Sequence, residues 1–369
     1  MRRTNLRLLI FVWMALLGLL SLSGALAALE IVWGPTLGDL TSNSVRLSWY
    51  TNVPAMGEVE IGDQAYARGG PLQSQQVLLE GLQPGQTYRY LLRVDAGPQK
   101  AASPWYEFTT PAVGLSDFDF CAYGDTRSNP ADHLQVVQAM VKCQPQFVLH
   151  TGDLVDDGTK LQDWKHFFPV IGLFAKSVPL YPCLGNHENG ADLYFQLLPL
   201  PDGFGLRGHQ WYTTVFGSCQ IISLDTDQDQ AAQGDWLQKL LAQPRPEGVV
   251  WRIAMFHEPP YTSGPHPPNP GALRYWCPLL ENGGVDLVFN GHNHYYERSL
   301  HGGLNYLDVA GGGAPLYQAT FKNPYRQSYH SVLSFVKVHV TAQTLQVTAL
   351  DTKLNVLDTC TVTHPGAAS

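Results

Sequence analysis

From Phe118 onward the chain repeats one pattern: a short apolar run, a polar cluster, then a longer amphipathic stretch. The runs include "DFDFCAY", "QFVLH", "CQIISLD", "WRIAMF" and "VDLVFN"; the stretches include "ADHLQVVQAMVKC" and "LQDWKHFFPVIGLFAK". Short apolar runs read as buried strands, and stretches with helical periodicity read as the helices that cover them. This alternation limits the region to a layered α/β fold. Near the end, "SFVKVHV" and "TLQVTAL" predict a closing β-hairpin.

Five of the predicted strands end in residues able to bind a metal. They are Gly124-Asp125-Thr126-Arg127, Gly152-Asp153, Gly185-Asn186-His187-Glu188, His257 and Gly291-His292-Asn293-His294. Ligands of an α/β sheet collect outside the carboxyl ends of its strands, so clusters far apart in sequence are expected to meet in space. Singly, each has a plainer reading: a Gly-Asp turn, a solvated Asn-His loop, a satisfied buried histidine. Together they predict a metal centre of carboxylate, amide and imidazole ligands. Asp227, in "LDTDQD", has two readings, lining the cleft or capping the helix that follows, and the cap fits better.

Residues 28–112 read differently. "SVRLSWY" and "TYRYLLRV" alternate apolar and polar residues between Pro and Gly turns, the pattern of an all-β unit. In "LQPGQTY", Tyr88 starts a strand just after a Pro-Gly turn, as the tyrosine corner of a β-sandwich does. The unit resembles a fibronectin type III domain and carries no catalytic cluster, so its expected role is spacer, cover or docking module. "TTPAVGLSD" is the expected linker.

Residues 1–27 have the form of a signal peptide. Arg2, Arg3 and Arg7 precede the apolar "LLIFVWMALLGLL", and Ala25 and Ala27 offer a cleavage site. Export is therefore expected, to a periplasm, a cell surface or the medium, with no stable membrane span once the segment is removed. An uncleaved signal anchor is the alternative. The net charge of −8, from 23 basic and 31 acidic residues without a basic run, argues against nucleic acid as the main partner. The six cysteines permit disulfides after export, but their pairing is open; Cys121 and Cys219 lie in apolar runs and read as buried thiols.

The series Asp125, Gly152-Asp153, Gly185-Asn186-His187-Glu188, His257 and Gly291-His292-Asn293-His294 resembles that of the calcineurin-like metallophosphoesterases. "GHNHYYER" (291–298) and "AGGGAPLY" (310–317) are similar to stretches of the purple acid phosphatases, which also carry a fibronectin-like domain ahead of the catalytic one. The resemblance covers 118–362. It implies a fibronectin type III-like sandwich at 28–112, then a metallophosphoesterase β-sandwich flanked by helices at 113–369. It also implies two divalent or mixed-valence ions (Fe, Mn or Zn), and hydrolysis of a small phosphate monoester by hydroxide generated on them.

By the same resemblance, Asp153 bridges the ions, Asp125 and His294 hold the first, and Asn186, His257 and His292 hold the second. His187 stabilises charge or protonates the leaving group. His266, nine residues after His257 in a Pro-rich loop, helps to bind and protonate substrate. Asn186 and His187 would contact the phosphate, and Arg127 joins them on the chemistry of its own side chain rather than on the resemblance. A phosphodiesterase or nucleotidase on the same scaffold is the alternative activity, and a binding protein with a relic metal site the more distant one.

The chain departs from the family pattern twice. The purple acid phosphatases have a tyrosine three residues after the bridging aspartate, where this chain has Asp156. The wider superfamily has a histidine two residues after the first aspartate, where this chain has Arg127. The first metal therefore lacks its usual fourth protein ligand. Either Asp156 supplies an oxygen instead, or water fills the position and Arg127 turns its planar fork to the substrate phosphate. A salt bridge from Arg127 to Asp156 or Asp157 is the other outcome.

Overall fold

The computed structural model describes residues 28–62, 64–205 and 207–364, and the segment expected as a signal peptide lies outside them. The chain opens with β1 (Ile31–Gly38), β2 (Ser44–Ile61), β3 (Gln64–Glu80), β4 (Thr87–Asp95), β5 (Lys100–Ala102) and β6 (Tyr106–Thr109). The first part of β2, Ser44–Tyr50, pairs with both β1 and β3, and its last part, Met56–Ile61, pairs with β4. Register shifts after Tyr50 and Ala55 mark the bulges at which the ribbon bends over itself. The bend encloses Leu37, Val45, Leu47, Trp49 and Leu92, all buried. The predicted tyrosine corner forms: the Gln83 N–H donates to the Tyr88 hydroxyl at 2.7 Å.

Strand–helix alternation then builds a first sheet from β7 (Phe118–Tyr123), α1 (Pro130–Met140), β8 (Val148–His150), α2 (Leu161–Ile171) and β9 (Leu180–Pro182), with the strands parallel. After α3 (Asp192–Leu197) a second sheet begins with β10 (Gly203–Phe204), β11 (Trp211–Phe216), β12 (Cys219–Ser223), α4 (Gln230–Leu241) and β13 (Trp251–Met255). It continues through α5 (Cys277–Asn282), β14 (Leu287–Asn290), β15 (Tyr296–His301), β16 (Leu304–Val309) and β17 (Arg326–His330). Its centre, β12-β13-β14-β16, is parallel. The chain finally returns to the first sheet, where β18 (Ser334–Val340) lies antiparallel to β7 and is followed by β19 (Thr344–Asp351) and β20 (Val356–Thr363).

Period-two alternation explains the layers. Along β7, Phe118, Phe120 and Ala122 enter the core between the sheets, while Cys121 and Tyr123 face the α1–α2 side. Along β13, Ile253 and Met255 point inward and Ala254 points to the α4–α5 side. Two sheets thus face each other, each covered outside by helices. The predicted hairpin is β18–β19. The following strand β20 lacks an apolar period because it is an edge strand with no fully buried position.

One local expectation is corrected. The cap of α4 is Asp229, whose side chain accepts the Ala232 N–H at 3.1 Å, not Asp227. Asp227 instead donates its backbone N–H to Asp225 Oδ1 at 2.9 Å. All six cysteines are free thiols, and Cys121 and Cys219 are buried as expected. Among the described residues no helix is long and apolar enough to cross a membrane.

Candidate metal centre

The five clusters meet where the carboxyl ends of the two sheets come together. Asp125, Asp153 and Asn186 follow β7, β8 and β9 of the first sheet; His257, His292 and His294 follow β13 and β14 of the second. Ligand atoms of Asp153, His257 and His292 lie within 4.8 Å of one another, and so do those of Asp125, Asp153 and His294. Asp153 belongs to both groups.

The turns that deliver these side chains are tight. Asp125, Asp153 and His292 sit in the left-handed region at φ 57°, 53° and 72°. Asp and His tolerate this region better than most residues, and such outliers gather at functional sites. Close approach forces glycine beside them. A Cβ on Gly291 would lie 2.5 Å from Asp125 Oδ2, and one on Gly185 would collide with Asp153.

Hydrogen bonds fix the orientation of each ligand. His257 Nδ1 donates to the Thr151 carbonyl at 2.7 Å, which turns Nε2 inward. His294 Nδ1 donates to the Pro315 carbonyl at 2.7 Å, leaving its Nε2 3.5 Å from Asp125 Oδ1. The His292 N–H lies 3.0 Å from both oxygens of Asp125. Such outer partners set the tautomer of a metal-binding histidine.

The donor set suits a cation. Around His257 Nε2 lie Asn186 Oδ1 at 3.1 Å, His292 Nδ1 at 3.2 Å and Asp153 Oδ1 at 3.4 Å. These four atoms, two oxygens and two imidazole nitrogens, converge as the ligands of a cation would. The electrostatics agree. Burial works against a charged His257, yet Asp153 and Asp125 raise its pKa well above the ordinary value. Burial pushes Asp125 up; at Asp153 it pulls the same way, but His257 and His187 hold that carboxyl below the usual range. Burial lowers His292, and lowers His294 to about 4, so both are neutral and available as ligands. Oxygen and imidazole ligands together favour Fe, Mn or Zn.

His187 lies beside this set, with Nδ1 bonded to the Asp156 carbonyl at 2.6 Å and Nε2 3.8 Å from Asp153 Oδ2. His266 is also near: its ring centre is 4.2 Å from that of His292, and burial lowers its pKa. Arg127 forms the bridge foreseen as one outcome, with Nη1 3.2 Å from Asp156 Oδ1 and Nε 3.4 Å from Asp153 Oδ2. Asp156 is in neither ligand group; Ser128 Oγ donates to its Oδ1 at 2.6 Å.

Three further residues shape the centre. Glu188 is fully buried and accepts four backbone N–H groups, from Asp153, Leu154, Val155 and Gly185, at 2.8–3.2 Å. Asn293 points away from the ligands and ties down the His266 loop, accepting the His266 N–H at 3.1 Å and donating to its carbonyl at 3.0 Å. Tyr317 stacks on His294 with ring centres 4.1 Å apart. The signals were present, since Glu188 and Asn293 lie within ligand clusters and Tyr317 ends "AGGGAPLY". Their roles are carried by backbone contacts and stacking, which a motif does not display.

Known proteins resemble this chain in sequence and in fold. Residues 118–296 match the family model described as calcineurin-like phosphoesterase. An uncharacterised protein of Mycobacterium tuberculosis is 31% identical over 222 residues, 52% of this chain and 41% of that protein. The chain thus spans less than half the length of that relative. Mouse acid phosphatase type 7 is 28% identical over 313 residues, 69% of this chain and 67% of the relative. Purple acid phosphatase PPD1 from yellow lupin seeds superposes with a TM-score of 0.77 at 18% identity, over 91% of this chain and 74% of that one. Residues 118–296 are therefore similar to the calcineurin-like phosphoesterases, and the chain resembles an acid phosphatase in sequence and a purple acid phosphatase in fold.

Proposed function

We propose that the protein is an exported, dimetal-dependent phosphoesterase that hydrolyses small phosphate monoesters. The observation that carries this reading is the pair of ligand groups sharing one carboxylate, Asp153. Asp125, Asp153 and His294 would hold one ion; Asp153, Asn186, His257 and His292 would hold the other. Such a pair supplies Lewis acidity at the phosphoryl oxygens and lowers the pKa of water near neutral pH.

The remaining chemistry belongs to the chain itself. His187 is oriented by its Nδ1 bond to the Asp156 carbonyl, which leaves Nε2 to carry a proton to the departing ester oxygen. His266, held by Asn293 against His292, would steady the substrate. Asn186 would contact the phosphate through its amide. With Nε and Nη1 turned to Asp153 and Asp156, Arg127 would offer a phosphate the other edge of its fork. The signal-like residues 1–27 support export.

The test is metal content of the purified protein, with p-nitrophenyl phosphate and its bis ester assayed before and after chelation. Two equivalents and chelator-sensitive turnover of the monoester support the reading. Preference for the bis ester moves the function to a phosphodiesterase. Absence of turnover after reconstitution with Mn, Fe or Zn overturns it.

A further inference from the structure

We infer that Arg127 is a built-in cation that keeps the first metal position, Asp125–Asp153–His294, the weaker of the two, so that the centre fills in sequence. The inference rests on the dimetal reading above.

Arg127 extends from the turn after β7 into the side of the centre where Asp125 and His294 lie. Its side chain is only 17% exposed. Nε is buried and has no hydrogen-bond partner, although it lies 3.4 Å from Asp153 Oδ2. A guanidinium stays protonated and has no lone pair to give a metal, so it counts only as fixed positive charge. That charge faces the carboxylate oxygen opposite to the one beside His257, since His257 Nε2 is 3.4 Å from Oδ1. The shared ligand therefore meets on its Oδ2 side a cation with no lone pair to give a metal, and on its Oδ1 side an imidazole able to serve as a ligand. The ligand sets point the same way: the second position adds Asn186 and two imidazoles to Asp153, the first only Asp125 and one imidazole.

Asp156 sets how strongly Arg127 competes. Its carboxylate takes Nη1 at 3.2 Å and is itself held by Ser128 Oγ at 2.6 Å. The guanidinium is thus divided between a rim carboxylate and the shared ligand. Beside it opens a cavity of about 230 Å³ lined by Arg127, Asp156, Ser128, His133, Asp163 and His166. When the first position is filled, repulsion between a dication and a fixed charge a few ångströms away lowers affinity there by roughly tenfold or more.

Full-length protein stripped by chelation and titrated calorimetrically with Mn²⁺ should show one tight equivalent and a second at least about tenfold weaker. His257→Ala should abolish the tight equivalent. Arg127→Gln should tighten the second by about tenfold, Arg127→Lys should preserve the gap, and Asp156→Asn should widen it. Two equal equivalents in the wild type, or an unchanged gap in Arg127→Gln, would overturn the inference and leave the phosphoesterase reading intact. Absence of metal binding by the wild type would overturn both.

Discussion

Glu188 shows how one side chain shapes the candidate centre through backbone contacts alone. Oε1 accepts the N–H groups of Leu154 and Val155, and Oε2 those of Asp153 and Gly185. Burial and the neighbouring Asp153 push its carboxyl up to about 8, while the backbone donors favour the carboxylate. The bonds lock the left-handed turn at Asp153 and tie it to the turn that carries Asn186 and His187. Glu188→Gln replaces one acceptor oxygen by an NH₂ that faces backbone donors. It should cost about 2–3 kcal/mol of stability and weaken metal binding by about 10–100-fold. Thermal denaturation and metal content of the variant check this; unaltered metal affinity would mean the turn holds its shape without the carboxylate. The candidate ligands that the structure brings together were legible in the sequence because metal chemistry demands particular residue types at strand ends. Glu188 was not, because its partners are backbone N–H groups that any residue supplies.

At the scale of elements, the centre depends on how α1 and α2 pack on the first sheet. Two buried histidines sit in that layer. His133 Nε2 is 3.1 Å from the Tyr123 hydroxyl, and the His150 ring meets the edge of Tyr123 at 4.7 Å. Burial lowers the pKa of His133 to about 3, and burial together with His133 lowers that of His150. Both are neutral when folded, whereas in the unfolded chain they take up protons below about pH 6.5. The unfolded state then binds more protons, so stability falls as the pH drops from about 6.5 towards the folded values. Each histidine changes the folded-to-unfolded ratio by up to about tenfold per pH unit in that window. Urea denaturation between about pH 7 and 4 should show this slope, and His133→Gln should reduce it by about one proton. A variant with the wild-type slope would show that His133 titrates equally in both states. The elements were legible where the apolar period was strong, as in β7 and α1. They were not where a strand is two residues long, as in β10, or lies at an edge, as in β20. Pairing and burial define those, and neither leaves a long periodic signal.

Across the whole molecule, the N-terminal strands are joined to the layers that carry the centre. Trp33 of β1 stacks between Tyr50 and Phe168 of α2, with ring centres 4.3 and 5.1 Å away. The Leu37 N–H donates to the Ala175 carbonyl at 2.8 Å, and Ser48 Oγ to that of Leu197 at 2.7 Å. Gln76 Nε2 donates to Phe195 and Leu198, and the Tyr90 hydroxyl to Lys176. These contacts fall on α2, α3 and the segments after them, which flank the turns of Asp153 and His187. The sequence hid these contacts, because Trp33 reads as an ordinary strand residue and its partner Phe168 as an ordinary core one. Trp33→Ala removes a buried ring shared by both parts and should lower stability by about 3–5 kcal/mol. Because the ring belongs to one joined structure, calorimetry should show a single transition in both proteins, shifted down in the variant. Two separate transitions, with only the lower one moved by the substitution, would show that the N-terminal strands fold as an independent attachment and leave the layers beneath them unchanged.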